Sequence, residues 1–308
     1  MSLALKEKLK GDRHIVNIDD GLYPEAFFRL KDPPERLYAI GNLDALDEGM
    51  AIVGARLATP YGLGCASRFA RIASEAGLTI ISGGAIGCDS AAHRATLSTG
   101  GKTVAFLGGG CDEIYPAENT TLFQQIIDAG GLVVSENEWT EPPLRHHFRK
   151  RNRLMASLAK ATLIVEAGLP SGTFSTADEA IAAGREVLVV PGAITSKHSH
   201  GANRLIYQGA VPVIDDESFI DQVRSIFDVM ILEPPKTSVS KKRKRTLEDA
   251  LYDMVCAEPC TSEKLLEQVD AKRASADNIV WLMQWLSEMQ REGRISRYPD
   301  GTYGAVVA

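Results

Sequence analysis

The chain has 308 residues, 44% of them apolar, with 34 Lys and Arg against 40 Asp and Glu for a formal charge of −6. That length buries a full core and leaves room for a second small domain, while the negative balance excludes wholesale coating of nucleic acid, so any affinity for it must come from a local patch. Five scattered cysteines (Cys65, Cys88, Cys111, Cys256, Cys260) exclude a disulfide framework and fit reduced thiols in a cytoplasm; no apolar run nears the roughly 18 residues of a membrane span, and the N-terminus lacks the apolar region of a signal peptide.

Residues 1–46 carry Tyr23-Pro-Glu-Ala-Phe27 and Asp32-Pro-Pro-Glu-Arg-Leu-Tyr38. They are too short and proline-rich for a core of their own, and are expected to pack as an extended arm on the domain that follows. Over 47–228, short β-branched or apolar runs (AIVGA, LTIISG, TVAFLG, LVVSE, TLIVEA, EVLVVPG, VPVID) alternate with helix-length amphipathic segments. That alternation predicts βαβ units, hence an α/β fold with a mostly parallel sheet and helices on both faces. Nearly every run ends in Gly, Ser or Pro, which places a flexible turn at the carboxyl edge of each strand, where open α/β sheets bind ligands. Residues 229–246 form a proline- and serine-containing linker ending in Lys241-Lys-Arg-Lys-Arg245, a charge run of the kind that is usually solvated. From 247 to 308, two short helical patterns, a longer one and a strand-turn-strand ending around Pro299-Asp-Gly301 predict a small winged-helix-like domain. Six basic residues there face eleven acidic ones; a DNA-reading helix sits in a positive field, so a protein-contact or structural role is favoured.

The stretch Arg145-His-His-Phe-Arg-Lys-Arg-Asn-Arg153 packs five Arg or Lys and two His into nine residues without a carboxylate. It opens a helical pattern, so backbone N–H groups add to the side-chain field, a combination that suits phosphates. Four glycine-rich turns accompany it. Gly54-Ala-Arg56 sets a guanidinium beside a residue without a Cβ; Ser82-Gly-Gly-Ala-Ile-Gly-Cys-Asp89 leaves room for a ligand or for a neighbouring chain segment, with Asp89 or Ser90 available as helix cap. Gly108-Gly-Gly-Cys-Asp-Glu-Ile-Tyr-Pro116 follows a strand, and Ser171-Gly-Thr-Phe-Ser-Thr-Ala177 opens a helix with four hydroxyls. Each also reads as plain turn chemistry. Glycines at 54, 62 and 64 have the wrong spacing for G-x-G-x-x-G, and G-x-x-x-x-G-K-[ST] is absent, which excludes a nicotinamide dehydrogenase or an ATPase of that type. His93 reads as a packed, hydrogen-bonded residue, Asp89 and Asp112 as turn residues, and Cys256 and Cys260 lack partners for a zinc tetrahedron. No catalytic residue, metal or cofactor is expected; a binding protein explains the residues with fewest assumptions.

Taken in order, the motifs resemble the DNA-processing protein A (Smf) family: Tyr-Pro and Leu-Tyr-Ala-Ile-Gly-Asn within 23–42, Ile-Val-Gly-Ala-Arg, Ser-Gly-Gly-Ala-Ile-Gly-Cys-Asp, Leu-Gly-Gly-Gly-Cys-Asp-Glu-Ile-Tyr-Pro, Phe-Arg-Lys-Arg-Asn-Arg, Ser-Gly-Thr and Gly-Ala-Asn-Arg-Leu-Ile at 201–206. The likeness covers roughly residues 20 to 215. It implies an extended Rossmann-like, doubly wound domain that binds single-stranded DNA without sequence specificity. It further implies a homodimer that helps load a RecA-type recombinase during DNA uptake by natural transformation. Carried over by position, Gly54 and Arg56, the loop residues Ser82, Gly83, Gly84, Gly87 and Asp89, the patch residues Arg145, Phe148, Lys150, Arg151, Asn152 and Arg153, and the turn Ser171, Gly172 and Thr173 would line the DNA pocket. Ala55, Ile86, Cys88 and Arg149 depart from the family pattern, and with about 20 residues before the first motif the family's common N-terminal helical domain is not expected. Two alternatives use the same pocket. One is a nucleoside-monophosphate phosphoribohydrolase of the Lonely Guy type, whose Pro-Gly-Gly-x-Gly-Thr-x-x-Glu is met here by Thr176 at the glutamate offset, with Asp178 and Glu179 the nearest acids. The other is a nucleotide-ligand sensor.

Overall fold

The computed structural model describes residues 8–169, 172–229, 246–257, 259–273, 275, 277–298 and 301–305. Ser171, the run Lys241–Arg245, and Pro299 and Asp300 of the expected turn lie outside the described residues. The chain divides into two compact units, a larger one over 1–58 and 65–231 and a smaller one over 59–64 and 232–308.

Over residues 13–227 the order is β1 (Arg13–Asn17), β2 (Arg36–Gly41), β3 (Gly49–Val53), α1 (Pro60–Glu75), β4 (Ile80–Ser82), α2 (Cys88–Ser98), β5 (Thr103–Phe106), α3 (Thr120–Asp128), β6 (Leu132–Ser135), α4 (Arg145–Leu158), β7 (Ala159–Ile164), α5 (Thr173–Ala182), β8 (Glu186–Val189), α6 (His200–Tyr207), β9 (Val211–Pro212) and α7 (Asp216–Phe227). The nine strands form one sheet in the order β1-β2-β6-β5-β4-β3-β7-β8-β9. From β6 to β9 every pairing is parallel.

Period-two alternation divides the strand residues between two faces. Met50 and Ile52 of β3, Ile80 of β4 and Leu163 of β7 point to a layer containing Phe69 of α1, Ala92 of α2 and Phe219 of α7. Ala51, Val53, Ile81, Phe106 and Ile164 point to the other, against Leu154 and Met155 of α4, Ala177 of α5 and Leu205 of α6. Burial on both faces is why these strands read as continuous apolar runs, and each fully buried Phe, Leu or Ile contributes about 1.5–3 kcal/mol of transfer free energy. Seen whole, the unit is the expected α/β fold with a mostly parallel sheet.

The described part of the expected arm, residues 8–46, does more than pack on that sheet. Strands β1 and β2 pair antiparallel, and β2 joins β6 antiparallel with Tyr38 opposite Ser135 and Gly41 opposite Leu132. Leu37, Ala39 and Ile40 are fully buried, so the segment supplies an inner strand. Pro33 and Pro34 stand in the loop ahead of β2 and cost the ladder no donor.

The smaller unit contains α8 (Leu247–Ala257), α9 (Ser262–Lys272), α10 (Asn278–Arg291), β10 (Ile295–Arg297) and β11 (Tyr303–Ala305). The two strands pair antiparallel, and Leu251, Leu265, Val269, Leu282, Trp285 and Ile295 form their own core. All five cysteines are free thiols, and only Cys256 is exposed. Among the described residues, no helix is long and apolar enough to cross a membrane.

Candidate nucleic-acid interface

From β3 the chain steps through β4, β5 and β6 to one side, then returns to place β7, β8 and β9 on the other. The crevice at the carboxyl ends of β3 and β7 is the point where such sheets bind ligands. A cleft of about 1020 Å³ opens there, lined by Gly54 to Leu57 after β3, by Arg145, Phe148, Arg149 and Asn152 of α4, and by Gly172 to Thr176 where α5 begins. The N-termini of the two helices bring the positive ends of their dipoles. Asn152 donates to the Ser175 hydroxyl at 2.8 Å, and Ser175 donates to the Gly172 carbonyl at 3.1 Å, so the α4 and α5 walls are bonded together.

The helical period of 3.6 divides the basic patch between two sides of α4. Arg145, Phe148, Arg149 and Asn152 share the cleft face, and both arginines are exposed. Lys150 and Arg153 lie on another face, where both pair with Glu136, Lys150 at 3.1 Å. They border a separate recess of about 430 Å³ that also holds Asp32, Glu35 and Glu138, a setting that repels phosphate. Lys150 and Arg153 are therefore not in the cleft where they were expected. Their common partner lies 14 and 17 residues upstream, beyond any local pattern.

Arg151 is nearly fully buried. Its Nη1 donates to the carbonyl of Gly83 at 2.8 Å and to that of Phe106, and its Nε to Asn152 at 3.2 Å. Burial lowers its pKa to about 10, with the Asp89 charge opposing that shift, so it stays protonated at neutral pH. Asp89 is buried too and accepts from the N–H groups of Gly83 at 3.2 Å and Ala85 at 3.3 Å; burial raises its pKa, against the pull of Arg151. The pair lines the cleft and also clamps the carboxyl ends of β4 and β5, so Arg151 has a positioning role at the place where a phosphate contact was expected of it.

The glycines of that loop make room for chain. A Cβ on Gly87, whose φ is +90°, would stand 2.3 Å from the Ala55 carbonyl oxygen; on Gly54 it would meet the Cys88 Sγ at 2.7 Å, and on Gly84 the Phe123 ring at 2.4 Å. Ser82 is fully buried and its hydroxyl donates to the Ile52 carbonyl at 2.6 Å. Among Ser82, Gly83, Gly84 and Gly87, none lines the cleft; Gly54, Arg56, Asp89, Gly172 and Thr173 do. Gly87, without a side-chain cap, precedes α2, and Ser90 donates to the Ala85 carbonyl. His93 is fully buried with its Nδ1 2.7 Å from the Thr103 hydroxyl, and burial lowers its pKa to about 3. Since that hydroxyl donates to the Ile80 carbonyl, Nδ1 carries the imidazole proton.

Phe148 is half-buried, with the Arg56 guanidinium 5.4 Å from its ring centroid and the Tyr115 ring 5.5 Å away at 65°. The exposed charge in the cleft thus comes from Arg56, Arg145 and Arg149 around an aromatic ring, with Asp178 and Glu179 on the α5 side. Arg149, Ser175 and His198 also line the cleft; the first two belong to the basic patch and the hydroxyl turn but were not among the residues expected in the pocket, a helical projection from Arg145 finds Arg149 one turn on, and nothing local marks His198.

The chain is 36% identical over 214 residues to Protein Smf of Escherichia coli, covering 69% of this chain and 57% of that protein. It is 39% identical over 195 residues to DNA processing protein DprA of Streptococcus pneumoniae, covering 63% and 68%. The X-ray structure of the Streptococcus pneumoniae protein superposes with a TM-score of 0.63 at 36% identity, over 68% of this chain and 74% of that one. DNA processing protein A from Helicobacter pylori, whose structure is described as giving insight into a unique single-stranded DNA binding mode, superposes with a TM-score of 0.62 at 31% identity, over 70% of this chain and 97% of that one. The chain spans 57% of the length of its Escherichia coli and Synechocystis relatives. Residues 14–224, which take in the whole nine-stranded sheet except Arg13 at the start of β1, match the family described as DNA recombination-mediator protein A, and the chain belongs to that family.

Proposed function

We propose that the chain binds single-stranded DNA without sequence preference in the cleft between β3 and β7. The observation that carries this reading is the half-buried Phe148 ring set among exposed Arg56, Arg145 and Arg149 where α4 and α5 begin. Arginines neutralise phosphates and release counterions, helix N-termini add N–H donors, and a ring stacks any base because every base has a π-face. Duplex DNA hides those faces, which favours the single strand. Family membership and the binding mode described for the Helicobacter pylori protein support DNA as the ligand.

On the family resemblance we extend the proposal to DNA processing during uptake, with the chain acting as a cytoplasmic homodimer that helps load a RecA-type recombinase. Residues 247–308 are read as a winged-helix-like module whose eleven acids against six bases suit a protein contact. No catalytic step is assigned. In the cleft, Asp89 is engaged with loop N–H groups, and Asp178 and Glu179 stand beyond the offset a phosphoribohydrolase uses.

A fluorescence-anisotropy titration of labelled oligothymidine, with duplex DNA and AMP as competitors, tests the reading. Binding that duplex displaces poorly and AMP does not abolish is the expected result. Absence of binding to the oligomer, with AMP hydrolysed or bound instead, would transfer the cleft to the hydrolase or the sensor alternative.

A further inference from the structure

The third glycine-rich turn takes no part in the phosphate-binding cleft, yet it is built with care. Cβ atoms on Gly108, Gly109 and Gly110 would meet the Phe148 ring at 2.7 Å, the Pro143 nitrogen at 3.0 Å and the Glu138 carbonyl oxygen at 1.9 Å. The turn is pinned by Gly110 N–H to the Glu141 carbonyl and Asp112 N–H to the Trp139 carbonyl, each at 2.8 Å, and by the Asp112 carboxylate to Lys8 at 3.0 Å and Arg13 at 2.8 Å. What this scaffold presents is Tyr115, 47% exposed, with its ring beside Phe148 at 5.5 Å.

We infer that Tyr115 forms a second nucleobase site, so that two consecutive bases of a single strand lie on Phe148 and Tyr115. The inference rests on the single-strand reading above and adds a geometry to it. Neighbouring bases stacked on each other are parallel, but the two rings are inclined by 65°. A strand that covers both rings must break its own stacking at that step and turn between them. Arg56 stands over Phe148 at 5.4 Å, closer than the roughly 7 Å that a base sandwiched at carbon contact distance on both sides requires. Its exposed side chain therefore swings aside as the first base enters, toward the phosphate joining the two nucleotides. The chemical class of the ligand is a pair of adjacent, unpaired nucleobases of any identity.

The test compares the intact chain with Tyr115→Phe and Tyr115→Ala on two labelled oligomers, oligothymidine and an abasic oligomer of the same length that keeps the phosphates. Tyr115→Phe keeps oligothymidine affinity within about twofold, while Tyr115→Ala weakens it by at least about fivefold, the lower end for losing one stacked base, and leaves the abasic oligomer unaffected. Equal losses on both oligomers would assign Tyr115 a purely structural role and overturn the inference, as would unchanged binding of oligothymidine by Tyr115→Ala. Failure of the unmodified chain to bind either oligomer would instead remove the single-strand reading itself.

Discussion

Arg149 and Arg151 are two positions apart and do opposite work. Arg149 is exposed in the cleft, and replacing it with Ala leaves unfolding free energy within about 0.5 kcal/mol while weakening DNA binding. Arg151 is buried; Arg151→Ala strands the Gly83 and Phe106 carbonyls and the Asp89 carboxyl, and costs about 3–5 kcal/mol in denaturant unfolding. Equal stability of the two variants would refute this division. His93 gives a pH signature. Its folded pKa of about 3 lies below the ordinary 6.5, so the unfolded chain binds a proton that the folded chain excludes, and stability falls as pH drops from 6.5 toward 3. Replacing it with Gln reduces the stability difference between pH 7 and pH 5 by about 2 kcal/mol, measured by denaturant titration at both pH values. The packed character of His93 was legible from its small-residue neighbours, but the burial of Arg151 was not, because the carbonyls it holds come from two other strand ends.

At the scale of elements, α4 is a two-sided device, one side in the cleft and the other paired to Glu136. The patch was visible as a charge density; its division followed only once a helix began at Arg145, and the sequence held that period without naming the partner across it. The glycine loops taught a similar lesson. Their small residues were consistent with a ligand or with a neighbouring chain segment, and at Gly54, Gly84 and Gly87 the chain fills the space. A pair of substitutions isolates that contact. Gly77 has a φ of +83° with nothing within 4 Å of its Cβ position, whereas Gly87 at +90° faces the Ala55 carbonyl. Gly77→Ala costs about 1 kcal/mol for the left-handed backbone, and Gly87→Ala costs clearly more; equal costs in thermal or denaturant unfolding would contradict the close approach. Strand β2 escaped notice because prolines just ahead of it masked a short apolar run that is buried on both faces.

For the whole molecule, a net charge of −6 means that counterion release on binding DNA must come from one confined region. The parallel sheet and its carboxyl-edge turns were readable from alternating runs, and that edge is where the arginines and Phe148 converge. The most direct measurement is the salt dependence of oligothymidine binding by the intact chain, by a variant with both Arg145→Ala and Arg149→Ala, and by Lys150→Ala. With a slope of about −0.7 in log K against log salt per phosphate, losing two contacts makes the slope shallower by about 1.4 for the double variant, and Lys150→Ala leaves it unchanged. A slope that shifts with Lys150 and not with the two arginines would place the strand on the Glu136 side of α4 and contradict the account.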